Sequence, residues 1–179
     1  VCTRVPITEP SSIDAAFIGF LASSAPLRVV IHINHPRELS PESRTLLGSL
    51  AGAGIPVHVQ TVLLRGINDR AETLAGLFED CLDLGLSPYY LFQLDLAPGT
   101  AHFRVPLRKG LAVYRELASL CSGLALPAYA LDLPGGGGKI RLGEDVIAGE
   151  REGGAGKTAL LLRDARGGLW PYPSDELPY

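Results

Sequence analysis

The sequence predicts an α/β protein built on a parallel sheet, followed by a Gly-rich segment and a short β-hairpin tail. Three observations carry this reading. β-Branched runs alternate with helix-period segments at about 30 residues per unit, the spacing of right-handed βαβ crossovers. Each run ends in polar groups, as parallel strands do where they open onto a site. After Lys139 the alternation stops, and residues 143–156 are polar and Gly-rich.

The elements follow in order. A helix over 12–24 is led in by Ser11-Ser12, and residues 27–35 (LRVVIHINH) read as the first strand. Ser40-Pro41-Glu42 supplies an N-cap, a proline at the first helical position and an acid in the first turn. That helix runs through Leu46, Leu47, Leu50 and Ala51 until Gly52 and Gly54 stop it. Residues 56–64 alternate as the second strand. Asn68-Asp69 would cap a helix whose apolar face is Ala71, Leu74, Leu77, Phe78, Cys81 and Leu82, ending at Gly85. Residues 88–95 form the third strand and 127–132 the fourth. Leu107, Leu111, Tyr114, Leu117, Ala118 and Cys121 mark the helix between them. In the tail, 158–163 and 169–172 flank Asp164–Gly168 as a hairpin. Four strands cannot close a (β/α)₈ barrel, which takes about 250 residues. Periodicity leaves open both a four-stranded flavodoxin-like sheet and a partial barrel.

Composition narrows the function. A chain of 179 residues with 46% apolar and 20% charged residues can bury a core, which excludes wholesale disorder. Sixteen Lys+Arg against nineteen Asp+Glu give a net charge of −3, so no polybasic footprint points to nucleic acid. No run of about 18 apolar residues exists to span a membrane. Cys2, Cys81 and Cys121 are odd in number and lack CxxC spacing, so they give neither a disulfide framework nor a zinc ribbon. They read as buried small hydrophobes in a reducing, cytoplasmic setting. The chain starts at Val1 and contains no methionine, which reads as one domain or a large piece of one without its beginning.

Chemistry-bearing residues collect at the predicted strand ends. The first strand offers His32, Asn34 and His35; the second offers Gln60, with Arg65 and Asn68 after it; the third ends in Gln93 and Asp95, the fourth in Asp132. Period-2 alternation puts Tyr89, Leu91, Gln93 and Asp95 on one face, and lines Ala128 and Ala130 up beneath Asp132, leaving room for a ligand. His32 and His35 would point to opposite faces and make a poor metal pair; no metal site is expected. His58 and His102 read as surface residues. Asp132-Leu133-Pro134 leads into Gly135, Gly136, Gly137, Gly138 and Lys139, where backbone N–H groups can approach an anion or a flat ring. A lysine directly after such a loop suits phosphate pairing or Schiff-base chemistry. Gly153-Gly154-Ala155-Gly156-Lys157-Thr158 imitates a P-loop but has Arg151 where the first glycine is required.

HINHPRELSPES, VQTVLLRGIND, PYYLFQLDLAPGTAHFRVPLRKG and DLPGGGGKI resemble successive blocks of lysine 2,3-aminomutase, a radical S-adenosylmethionine family that uses pyridoxal phosphate. The resemblance covers residues 1–140, with a weaker echo in 157–173. It implies the C-terminal half of an incomplete parallel (β/α) barrel over 1–140, carrying the pyridoxal phosphate loop. Residues 141–179 would be a linker and C-terminal hairpin tail. It implies an isomerase of lysine metabolism that interchanges L-lysine and L-β-lysine. By resemblance, Lys139 would carry the pyridoxal phosphate, with Gly135–Gly138 beside it. Asp95 and Asp132 would hold the substrate's distal ammonium, and His32 and Gln60 would contact S-adenosylmethionine or the cofactor region. Relatives acting on glutamate have a cationic and an amide residue in place of the two acids.

The family's Cys-x₃-Cys-x₂-Cys loop for a [4Fe-4S] cluster is not in this sequence, and Arg70 stands where some members have a zinc-binding cysteine. The resemblance thus implies a fragment that is inactive alone, whose partner would be a second copy when full length or a missing N-terminal half. A pyridoxal phosphate-binding remnant or partner subunit, and a relative acting on another amino acid or a protein-bound lysine, are the alternatives.

Overall fold

The computed structural model describes residues 1–24, 26–143, 145–152 and 158–174. Six strands lie side by side in sequence order: β1 (Cys2–Thr3), β2 (Val29–His32), β3 (Val57–Leu63), β4 (Ser87–Gln93), β5 (Ala128–Leu133) and β6 (Gly138–Arg141). The first five are mutually parallel, and β6 turns back antiparallel to β5. Helices α1 (Val5–Thr8), α2 (Ala15–Ser23), α3 (Pro41–Gly52), α4 (Ala71–Asp83) and α5 (Leu107–Leu120) fill the connections. The α/β class with a parallel sheet is therefore as the sequence predicts, with six strands rather than four. The two extra strands are too short for periodicity to mark. β1 has two residues, and β6 is the GKIR segment whose charged side chains disguise it.

Alternation is strict along β3, where Val57, Val59, Thr61 and Leu63 are buried and His58, Gln60 and Val62 are half-buried. The buried side packs on the helices. α4 contributes Ala71, Leu74, Leu77, Phe78 and Cys81, each at 1% exposure or less, the i, i+3, i+4 stripe the sequence predicts. α5 is rotated from expectation. It buries Leu107, Gly110, Val113 and Leu117, while Ala118 faces solvent. The rotation follows from Gly110, which lets the helix approach the sheet. A Cβ there would fall well inside contact distance of the Tyr129 hydroxyl and 3.1 Å from Gln93 Oε1. Gly110→Ala should therefore cost about 1–3 kcal/mol by overpacking. A urea midpoint equal to that of the parent protein would refute this.

Two caps differ from the sequence reading. Asp14, not the serine pair, caps α2 by accepting from Phe17 N at 2.8 Å. Arg70 occupies the N-cap of α4, because Asn68 and Asp69 are engaged elsewhere. Asn68, 1% exposed, accepts from Leu64 N and donates to Asn34 O and Val62 O, stitching the ends of β2 and β3 together. Asp69 accepts from Gly66 N and from Lys109 Nζ.

A second, antiparallel sheet joins β7 (Ile147–Glu152), β8 (Thr158–Arg163) and β9 (Leu169–Pro173). The sequence reading took residues of β7 for a Gly-rich linker, because its polar, mostly exposed pattern carries little apolar signal. Leu160, Leu162 and Tyr172 join the same buried cluster as the main sheet. Residues 153–157 of the P-loop imitation lie outside the described residues. Among the described residues, no helix is long and apolar enough to cross a membrane.

Candidate active site

The sheet face opposite the helices carries the chemistry. Register brings Tyr90 beside Ala128, Phe92 beside Ala130, and Asp132 beside Lys139. On the other side, His32 pairs with Gln60, and Gln60 with Tyr90. Because side chains alternate, His32, Gln60, Tyr90, Phe92, Asp132 and Lys139 all share this face. Their odd-numbered neighbours Ile31, Val59, Leu91, Tyr129 and Leu131 are buried under the helices.

Lys139 is the centre of the arrangement. Its Nζ donates to Asp132 Oδ2 at 2.8 Å and sits 4.0 Å from the Phe92 ring centroid and 5.3 Å from that of Tyr90. Both members of the ion pair are partly open, at 37% and 52% side-chain exposure, so a ligand can reach them. The glycine segment is not a free loop but the tight turn of the β5–β6 hairpin. Gly135, Gly136 and Gly138 adopt φ of 74°, 87° and 79°, conformations that L side chains rarely adopt and glycine adopts freely. This turn is what sets Lys139 opposite Asp132.

His32 ends β2 with its Nε2 3.0 Å from Asn34 Oδ1. Burial, then the Arg4 charge, holds its pKa below the ordinary value, with Asn34 and Glu38 opposing. The ring is therefore neutral at pH 7, and its Nε2–H donates to Asn34. The unfolded chain binds this proton near pH 6.5 and native His32 resists it. The group thus favours the folded state above that pH, and the contribution is lost as pH falls toward the lower native value. In an NMR titration, His32 should show a midpoint below about 6.5; a midpoint above that would contradict the burial argument.

Other residues singled out from the sequence are structural. Asn34 Oδ1 accepts from Val62 N at 2.9 Å, prolonging the ladder beyond β2. His35 Nδ1 accepts from Arg37 N, capping a short turn. Gln93, 1% exposed, faces the helices: its Nε2 donates to Val105 O at 2.6 Å and its Oε1 accepts from the Tyr129 hydroxyl. Asp95 lies exposed, two residues past the end of β4, in the connection leaving the strand that neighbours β5. Tyr89 does not share a face with Leu91 and Gln93. The β3–β4 register shifts at Val59/Gln60, so that Pro88 faces Val59 while Tyr90 faces Gln60. This bulge leaves Tyr89 as the extra residue, its ring 4.1 Å from Tyr90 and 5.7 Å from His58.

Sequence reasoning missed Tyr90 and Phe92 as the aromatic surface beside Lys139, because it placed the wrong parity of β4 toward the site. The cysteines offer no cluster. Cys2 is exposed on β1, Cys81 is buried in α4 with its thiol pushed up to about 12 by burial, and Cys121 caps α5. Among the described residues, no group of three metal-ligating side chains comes together.

No protein-family model matches the chain. A Treponema pallidum protein provisionally named as an L-lysine 2,3-aminomutase is 45% identical over 173 residues, covering 97% of this chain and 49% of that protein. L-lysine 2,3-aminomutase of Fusobacterium nucleatum is 40% identical over 174 residues, again 97% of this chain and 40% of its own length. Glutamate 2,3-aminomutase of Clostridioides difficile is 37% identical over 140 residues, 78% of this chain and 33% of that protein. Among solved structures, a radical SAM methyltransferase from Sphaerobacter thermophilus matches with a TM-score of 0.50 at 19% identity, over 68% of this chain and 39% of that one. That likeness concerns the fold alone. At 40–45% identity across 97% of its residues, this chain is similar to proteins named as L-lysine 2,3-aminomutases, consistent with a C-terminal portion of that family, and it spans about half or less of the length of these curated relatives.

Proposed function

We propose that this chain is the substrate-binding portion of a radical aminomutase, an isomerase that interconverts L-lysine and L-β-lysine with pyridoxal phosphate and S-adenosylmethionine. The observation that carries the reading is Lys139, held 2.8 Å from Asp132 and 4.0 Å from the Phe92 ring centroid on an open sheet face. The relatives named for lysine and glutamate 2,3-amino shifts support the reaction class. The parallel strands are then an arc of an incomplete barrel, and the open face is its interior. A second copy, or the portion of the relatives beyond this chain, would cover it.

The residues present fit a flat aldehyde cofactor. An accessible primary amine stands beside two aromatic rings, and the turn before Lys139 exposes backbone. Pyridoxal phosphate, when bound, supplies an aldehyde that captures an amine and a π-system that spreads an adjacent radical. This chain's residues bind and orient. Lys139 would hold the cofactor, and the Asp132 carboxylate, freed from the lysine, would be available to the substrate's distal ammonium. Asp95, from the neighbouring strand's end, supplies the second carboxylate for that ammonium. Charge-assisted bonds from two acids select a basic side chain over an acidic one. His32 and Gln60, paired on β2 and β3, offer polar edges to S-adenosylmethionine or the cofactor. The [4Fe-4S] cluster that such chemistry requires has no fitting ligand set among the described residues.

Pyridoxal phosphate added to the protein and fixed with borohydride should give one stable adduct, mapping by peptide mass to Lys139. An adduct only at Lys109 or Lys157 would remove the assignment.

A further inference from the structure

Four consecutive glycines precede Lys139, and they are glycine for two different reasons. Gly135, Gly136 and Gly138 are required by their positive φ. Gly137 has φ −67°, which any residue adopts. What excludes a side chain there is contact on two sides: a Cβ on Gly137 would lie 2.8 Å from Leu133 Cβ at the end of β5 and 2.9 Å from Trp170 Cδ2 and Cε2 in the tail. The indole therefore rests directly against the backbone of the turn that presents Lys139.

The indole is fastened from the other side. Trp170 Nε1 donates to Asp164 Oδ2 at 2.8 Å. Asp164 Oδ1 in turn accepts from Arg166 N and Gly168 N, so the carboxylate belongs to the β8–β9 turn. β8 and β9 are anchored in the core by Leu160, Leu162 and Tyr172. The ring is thus a fixed surface, and the glycine turn is the part with freedom to move. A turn of four glycines loses more conformational entropy on ordering than any other sequence of that length.

We propose that Trp170 is a positioning residue for Lys139: it clamps Gly137 and thereby holds the β5–β6 hairpin in the register that sets Lys139 opposite Asp132. The inference rests on the reading of Lys139 as the attachment point for pyridoxal phosphate, and adds a residue that touches neither cofactor nor substrate.

Trp170 is the single tryptophan of the chain, so its emission reports this contact alone. In the unaltered protein, pyridoxal phosphate fixed at Lys139 should quench the indole, because the bound ring absorbs where indole emits; Lys139→Ala should lose both adduct and quenching. Trp170→Ala should slow capture of pyridoxal phosphate about 10- to 100-fold, the effect of a displaced catalytic group. Trp170→Phe keeps a flat ring on Gly137 and should recover most of that loss, although it lacks the bond to Asp164. Rescue by phenylalanine separates positioning from general support, as does a capture defect in variants whose urea midpoint is unchanged. Should Trp170→Ala fail to fold, Gly137→Ala tests the contact from the opposite side, with red-shifted emission and the same fall in capture expected. Wild-type capture in either alanine variant, or loading without quenching, overturns the proposal and leaves the role of Lys139 intact. No adduct at Lys139 in the unaltered protein overturns both.

Discussion

Lys139→Ala should abolish amino-group migration in the enzyme, by on the order of 10⁴-fold or more, the scale on which loss of a covalent catalytic group is felt. The size follows from the geometry. The chain has three lysines. Lys109 is tied to Asp69 at 2.5 Å on α5, on the helix side of the sheet, and Lys157 lies outside the described residues. Among the described residues, only Lys139 joins an amine to an aromatic surface and a carboxylate on the open face. Lys139→Arg should be equally inactive, because a guanidinium keeps the charge and the partner but cannot form the covalent link. The check is turnover of L-lysine together with visible absorbance of bound cofactor. Measurable turnover in Lys139→Arg would mean that the residue serves as an ion-pair partner and nothing more.

Much of this site is legible in the sequence, and the illegible part has identifiable causes. The helix stripes of α3 and α4 and the alternation of β3 follow from apolar spacing, since one face of each is buried. The Gly-Lys segment announces itself, yet only three of its glycines follow from local backbone demands. The fourth depends on close packing against Leu133 and against an indole that folds back from the tail. The aromatic surface was misplaced for a different reason. Leu91 and Gln93 turn to the helices, which leaves Tyr90 and Phe92 on the open face, and nothing local in SPYYLFQ marks which alternate set is buried; the bulge displaces Tyr89 alone. Gln93 illustrates the same limit: a polar residue at a strand end can as easily satisfy a buried tyrosine hydroxyl as face a ligand.

The second large effect concerns substrate choice. Asp132→Asn should reduce kcat/KM for lysine while leaving attachment of pyridoxal phosphate at Lys139 in place. The magnitude distinguishes two pictures of the face. Asp132 is 52% exposed in this structure, and a carboxylate–ammonium contact in so wet a setting is worth about 1 kcal/mol or less. If the face is a barrel interior, covered and dry, leaving the ammonium with one acid costs about 2–5 kcal/mol. At about 1.4 kcal/mol per decade, that is roughly 30- to several-thousand-fold in kcat/KM. The larger loss is the expected one, because the reading makes this face internal. The fold should notice little: the Asp132–Lys139 bridge is partly exposed, so its loss should lower stability by less than about 1 kcal/mol. Asp95→Asn should follow the same pattern if its carboxylate turns onto the same ammonium. Asp95→Lys combined with Asp132→Asn should shift preference toward glutamate, by placing a cation and an amide where the substrate's distal carboxylate would lie. Near-parental lysine kinetics in both single amide variants would make the two acids structural, leaving the aminomutase reading without its substrate.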